Sequence, residues 1–219
     1  MSYIDKKMAE KALTKMKLFH DDLKSLFENH DMDLMDNLGR RNILMSQAQE
    51  KYFSEVLSER YEGVECDGRT GQPDIKIGSL DRELECKLTS KTKSGAFSFQ
   101  SDYETLKKKE SLDYLYVVAS ENFDSFTVLL YEGLTVDDFR HLSPGARGKV
   151  SMKKHAANSK LTAVFGALES KTNKNILRLE KILKDDLTPS KKKKYEKSLA
   201  YWKTNPQKFT VVLEKLLAA

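Results

Sequence analysis

The segment GQPDIKIGSLDRELECKLTS, residues 71–90, sets Asp74, Glu83, Glu85 and Lys87 into what otherwise reads as a short, half-buried β-hairpin. Charged side chains are normally a liability there. If residues 73–77 and 82–88 pair antiparallel around the turn Gly78-Ser79-Leu80-Asp81, paired positions sum to 159 and Asp74 lies across from Glu85. Alternation then sends Ile75, Ile77, Leu84, Cys86 and Leu88 to one face and Asp74, Lys76, Glu83, Glu85 and Lys87 to the other. Two carboxylates with Cβ atoms about 5 Å apart repel each other and call for a cation. A hard divalent ion such as Mg²⁺ answers that need, taking one or two carboxylates and completing its shell with water and phosphate oxygens. Lys87, two residues past Glu85 on the same face, could instead neutralise the pair by itself, leaving a plain surface charge cluster.

The elements that would hold these positions are legible on either side. Ile4, Met8, Leu13, Met16, Phe19, Leu23, Leu26 and Phe27 recur at mostly helical spacing and predict one or two amphipathic helices over residues 2–30. NHDMDLMDNLG is a polar connector, and a second helix is expected from about residue 41 to 60. From Tyr61 to Tyr131 the pattern changes to short strands, EGVECD, PDIKIG and RELECKL, then a helical SDYETLKKK, then YLYVVAS and FTVLLYE. YLYVVA is apolar enough for a central strand covered on both faces. After the turn-rich LSPGARGK, helices are expected near 158–168, 171–186, 189–204 and 206–218. The expected class is α/β, a central mixed β-sheet flanked by helices with helical N- and C-terminal additions. The expected organisation is a core over residues 1–170 and a basic helical subregion over 171–219.

Pro73-Asp74, followed eleven residues later by Glu85-Cys86-Lys87, resembles the PD-(D/E)XK nuclease superfamily, and within it the type II restriction endonucleases. In that family Pro-Asp opens one strand of a hairpin and Glu-x-Lys sits on the next; a helix precedes them, and a helix and a strand follow. The same order spans about residues 41–131 here and does not extend to residues 1–40 or beyond about 135. The resemblance implies a restriction-endonuclease-like core in which Asp74, Glu85 and the backbone carbonyl of Cys86 ligate Mg²⁺. It further implies that Lys87 orients the attacking water or helps to deprotonate it. Phosphodiester hydrolysis needs an activated nucleophile and a cation at the phosphoryl oxygens, which such a set supplies. The helix before the sheet often adds an acid in this family. Glu50 is the candidate, because Ile43, Phe53 and Leu57 share its stripe, which should face the sheet; Glu55, with Ala48, Tyr52 and Glu59, ranks second.

Contact with DNA needs cations for phosphates and amide or guanidinium groups for base edges. Residues 89–100 leave the Glu-x-Lys strand directly and carry Lys91, Lys93, Ser94 and Gln100. Residues 144–160 add Arg147, Lys149, Lys153, Lys154, His155, Asn158 and Lys160 and are the expected sequence reader. Charge is segregated: residues 141–219 hold 18 Lys and Arg against 6 Asp and Glu. The expectation is a Mg²⁺-dependent type II restriction endonuclease that cuts double-stranded DNA at a specific sequence as a homodimer. A structure-specific nuclease, a junction resolvase or repair nickase, is the alternative within the class. A non-catalytic DNA-binding protein on the same fold is the alternative outside it.

Composition closes off other classes. The chain has 219 residues, 39% hydrophobic and 32% charged, with no apolar run near the roughly 20 residues of a membrane span. MSYIDKKMAEKALTKMK lacks a continuous apolar segment, so a cytoplasmic location is expected. The two cysteines, Cys66 and Cys86, fit a reducing compartment and two small buried side chains. His20, His30, His141 and His155 lack metal-ligand spacing, and neither a P-loop nor GxGxxG is present.

Overall fold

The structure is a computed structural model that describes residues 2–67, 69, 71–90, 99–142, 148–204 and 209–216, with Lys154, His155 and Asn158 described by their backbone alone. The chain divides into two compact units, one formed by Met1–Ala167 with Leu213–Ala219, the other by Leu168–Val212.

In the first unit, α1 (Lys6–Glu28) starts at Asp5, whose carboxylate accepts the Met8 N–H at 3.0 Å. Asn37 caps α2 (Leu38–Ser58) in the same way through the Arg40 N–H. Residues 2–30 thus hold a single long helix, and the second helix begins three residues before its expected start. The buried residues Met8, Ala12, Leu13 and Met16 of α1 and Met45, Ala48, Phe53, Val56 and Leu57 of α2 fall at the spacing that makes one apolar stripe per helix. Cys66, expected inside, is exposed, and both cysteines are free thiols.

The strands follow as β1 (Val64–Cys66), β2 (Ile75–Ile77), β3 (Arg82–Ser90) and β4 (Gln100–Asp102). After the short helix α3 (Tyr103–Lys109) come β5 (Leu112–Ala119), β6 (Ser125–Leu134), β7 (Lys149–Ser151), the short helix α4 (Lys154–Ser159) and β8 (Leu161–Phe165). The main sheet runs β1-β2-β3-β5-β6. Only β3 and β5 in it pair in parallel, so the sheet is mixed, as expected. Every residue of β5 is buried, which is what a central strand covered on both faces requires. One face of the sheet packs Ile75, Ile77, Leu84, Cys86, Leu115 and Val117 against the two long helices.

On the opposite face Tyr114, Tyr116, Tyr131 and Phe139 form an aromatic layer with ring centroids 5.7–6.0 Å apart. Their buried hydroxyls reach outward. Tyr114 shares a hydrogen bond with Ser101 Oγ, Tyr116 donates to the Gln100 carbonyl at 3.0 Å, and Tyr131 donates to the Ala157 carbonyl at 3.2 Å. The aromatic layer therefore fastens β4 and α4 to the sheet.

The second unit holds α5 (Lys171–Ile182) and α6 (Pro189–Thr204), both near their expected places, and the antiparallel strands β9 (Ala167–Ser170) and β10 (Phe209–Val212). The helices expected near 158–168 and 206–218 are strands instead. Leu161–Phe165 pairs with β6, Phe209–Val212 pairs with β9, and β11 (Glu214–Lys215) returns to β6 beside Phe126 and Ser125. An open sheet edge satisfies backbone groups in register, and that tertiary gain outweighs the local helical pattern. Among the described residues no helix is long and apolar enough to cross a membrane.

Candidate active site

The hairpin register agrees with expectation: Ile75 faces Leu84, Lys76 faces Glu83, and Ile77 faces Arg82. Carried one residue further, it sets Asp74 opposite Glu85. The turn is a single 3₁₀ turn, Gly78–Leu80, closed by Asp81 in the left-handed region at φ 49°. Pro73 has no N–H to extend the ladder, and β2 begins only at Ile75. The Asp74 side chain takes over where the strand stops, its Oδ2 accepting the Cys86 N–H at 2.7 Å. A strand residue sends its N–H and C=O to the same edge, so the Cys86 carbonyl faces the gap beside Asp74 as well.

Glu85 lies on β3 beside Tyr114 of β5, and Lys87 beside Tyr116. Glu85 is buried; its Oε1 accepts a hydrogen bond from Lys87 Nζ, and its Oε2 is buried with no partner. Burial raises the affinity of the Glu85 carboxylate for a proton, Lys87 opposes this, and Asp74 adds to it. Burial likewise raises Asp74 against the pull of Lys87 and the Cys86 amide. For Lys87, burial alone would lower the ammonium, but Glu85 and Asp74 together hold it above its ordinary value. An acid pair and one cation thus share a pocket with more negative than positive charge.

A third carboxylate joins them from α2. Burial, then Asp74, lifts Glu50 to about 7, with Lys87 opposing and Glu85 contributing. The helix is fixed over the sheet by Gln49, whose buried Nε2 donates to the Leu115 carbonyl at 3.0 Å. Glu55 points elsewhere: Lys15 at 2.8 Å and Lys51 at 2.7 Å hold its carboxyl down at about 2. Of the stripe expected around Glu50, Phe53 and Leu57 are buried, whereas Ile43 is 71% exposed and lines a surface cleft with the α1–α2 connector. The apolar core residues of α2 begin past Ile43, at Met45 and Ala48.

The donor set suits a hard cation. It offers one oxygen from each of two carboxylates and a carbonyl, and the unpartnered Oε2 of Glu85 is the kind of buried atom that a ligand satisfies. Among the described residues no group of three or more His, Cys, Asp or Glu is placed to hold a metal ion.

The two segments expected to face DNA come together. Antiparallel pairing of Gln100 with Ser151 and Asp102 with Lys149 makes β4 and β7 a small ribbon next to the end of β3. A cleft of about 220 Å³ opens between them, lined by Lys87, Thr89, Gln100, Asp102, Tyr116 and Lys149. Lys153 donates to the Asp137 carbonyl at 2.7 Å, and Lys160 pairs with Asp138 at 2.8 Å, so these two cations are engaged within the chain. Lys154 and Asn158 lie on α4. Lys91, Lys93, Ser94 and Arg147 lie outside the described residues.

Asp102 and Tyr116 were not singled out from sequence. Asp102 adds negative charge facing Glu85 while its Oδ1 caps α3 by accepting the Thr105 N–H at 2.9 Å. In sequence it reads only as a helix cap. Tyr116 reads only as core; its signal was alternation in YLYVVA, which puts it on the face of Lys87. No protein-family model and no curated protein matches this chain.

Proposed function

We propose that the protein is a Mg²⁺-dependent endonuclease of the PD-(D/E)XK type, acting on double-stranded DNA at a specific sequence as a homodimer. The observation that carries this reading is that Asp74, just before β2 and bonded to the Cys86 N–H, acts on Glu85 of β3, with Lys87 alongside and Glu85 Oε2 buried without a partner. Asp74, Glu85 and the Cys86 carbonyl would hold the ion, which when bound supplies Lewis-acid stabilisation of a phosphoryl oxygen and acidifies water.

The chain's own residues account for the rest. Lys87, kept cationic by Glu85 and Asp74, donates toward the reacting phosphate or the incoming water. Glu50, with a proton affinity near neutrality, is placed to accept or hold a proton at the edge of the cluster. Tyr114 and Tyr116 stiffen the strand behind Glu85 and Lys87 and anchor the ribbon that carries Gln100 and Lys149. Lys149 suits a phosphate and Gln100 suits an adenine edge.

Plasmid digestion tests the proposal. With Mg²⁺ the purified protein should give discrete fragments, and Asp74→Asn or Lys87→Ala should abolish cutting while DNA binding persists. Cleavage confined to branched DNA would move the assignment to a structure-specific nuclease. Full turnover by Lys87→Ala would remove that lysine from the mechanism.

A further inference from the structure

We propose that the exposed end of the α1–α2 hairpin receives helix α5 of a second copy of this chain, and that two copies pair by exchanging this contact. Ten large apolar side chains are well exposed among the described residues, and six of them, Leu18, Phe19, Leu26, Met32, Ile43 and Leu44, lie on α1, the connector and the start of α2. Patches of this kind mark interaction sites. Phe27, Met32, Leu34, Ile43 and Leu44 line a cleft of about 660 Å³ here.

The lining also carries Asp31, Asp33 and Asp36 against the single cation Arg40. None of the three acids forms an ion pair among the described residues; the Asp33 carboxylate accepts the Met35 N–H at 2.7 Å. An apolar floor with an acidic rim repels DNA and selects an apolar anchor surrounded by cations. The chain itself presents such an element. On α5, Leu177 is 67% exposed, with Lys174 and Lys181 one turn to either side and Arg178 adjacent. Of these cations only Lys174 has an ion-pair partner among the described residues, Glu169 at 3.5 Å. The unit that holds α5 contains 12 Lys and Arg against 5 Asp and Glu.

Size argues for exchange rather than a one-way contact. The cleft is lined by 10 residues, whereas a stable interface uses roughly 20–30 residues a side. Two equivalent contacts about a two-fold axis double the buried surface and close the assembly.

Sedimentation equilibrium of the full-length protein, from about 1 to 100 μM, tests this independently of nuclease activity. A dimer is expected that weakens from about 0.15 M to 1 M NaCl, because the rim contributes through charge. Ile43→Glu and Leu177→Glu, both at exposed positions, should each weaken it at least about tenfold with unchanged thermal melting. The decisive arm exchanges charge. Asp31→Lys/Asp33→Lys/Asp36→Lys alone and Lys174→Glu/Arg178→Glu/Lys181→Glu alone should both be monomeric, and mixing the two should restore a dimer holding one copy of each. A wild type that stays monomeric at about 100 μM overturns the proposal, as does a dimer indifferent to these substitutions or a mixture that fails to associate. Open-ended assemblies would overturn the closed pair.

Discussion

Glu50 is where the demands of the site and of the fold conflict. Its carboxyl shares a half-buried pocket with Asp74 and Glu85 against one cation, and burial with that repulsion lifts it to about 7. A site arranged this way is destabilising until something positive enters it. Glu50→Gln removes one like charge at nearly constant shape. The variant should therefore melt higher than the wild type in metal-free buffer near pH 8 and cleave DNA at least about tenfold more slowly. Equal melting temperatures would place the Glu50 side chain outside the cluster. At this scale the sequence was informative where local geometry is rigid. A four-residue turn fixes register, and register fixes that Asp74 meets Glu85. Asp102 was hidden because a helix cap and a site acid are the same residue type, and only the fold brings it to Glu85.

At the scale of elements, the end of β3 is held by a buried cation. Arg41, fully buried on α2, donates to Ser90 Oγ at 2.5 Å and to the Glu121 carbonyl, and its guanidinium lies 5.1 Å from the Phe123 ring. Burial lowers its pKa to about 10. His20 of α1 stacks on the same ring at 4.6 Å, with its Nε2 buried and unpartnered. Burial depresses the imidazole below its ordinary 6.5, Asp21 opposes that, and Arg41 and Lys17 reinforce it. A folded-state value below the unfolded one means that neutral His20 supports the fold above 6.5, and that this support is lost as pH falls below it. His20→Phe keeps the stacking and removes the proton site. Its melting temperature should fall less than the wild type's between about pH 7 and pH 5. Parallel losses in the two proteins would exclude His20 as the titrating group. Element type was legible for α1, α2 and β5, whose apolar periods are long. It was not legible for β8, β10 and β11, which are short runs whose strand state comes from the edges of β6 and β9.

At the scale of the whole molecule, charge segregation by sequence distributes into separate tasks. Part of the basic excess past residue 141 is spent inside the fold, as at Lys160 with Asp138 and Lys153 with the Asp137 carbonyl. Sequence counts cannot distinguish such cations from those left to solvent, whereas Lys149 stays exposed on the ribbon beside Lys87. DNA affinity should accordingly depend on few, well-placed contacts. Measured with the non-cutting Asp74→Asn protein, log K should fall with log salt with a slope steeper than about −3, since each neutralised phosphate contributes about −0.9. Lys149→Ala should flatten that slope by about 1 and weaken every DNA sequence alike, the behaviour of a phosphate contact. Gln100→Ala should leave the slope unchanged and erode the preference among sites by about 1–3 kcal/mol, the behaviour of a base reader. If both variants lowered affinity uniformly with the slope unchanged, the β4/β7 ribbon would be a wall of the cleft that touches neither backbone nor bases.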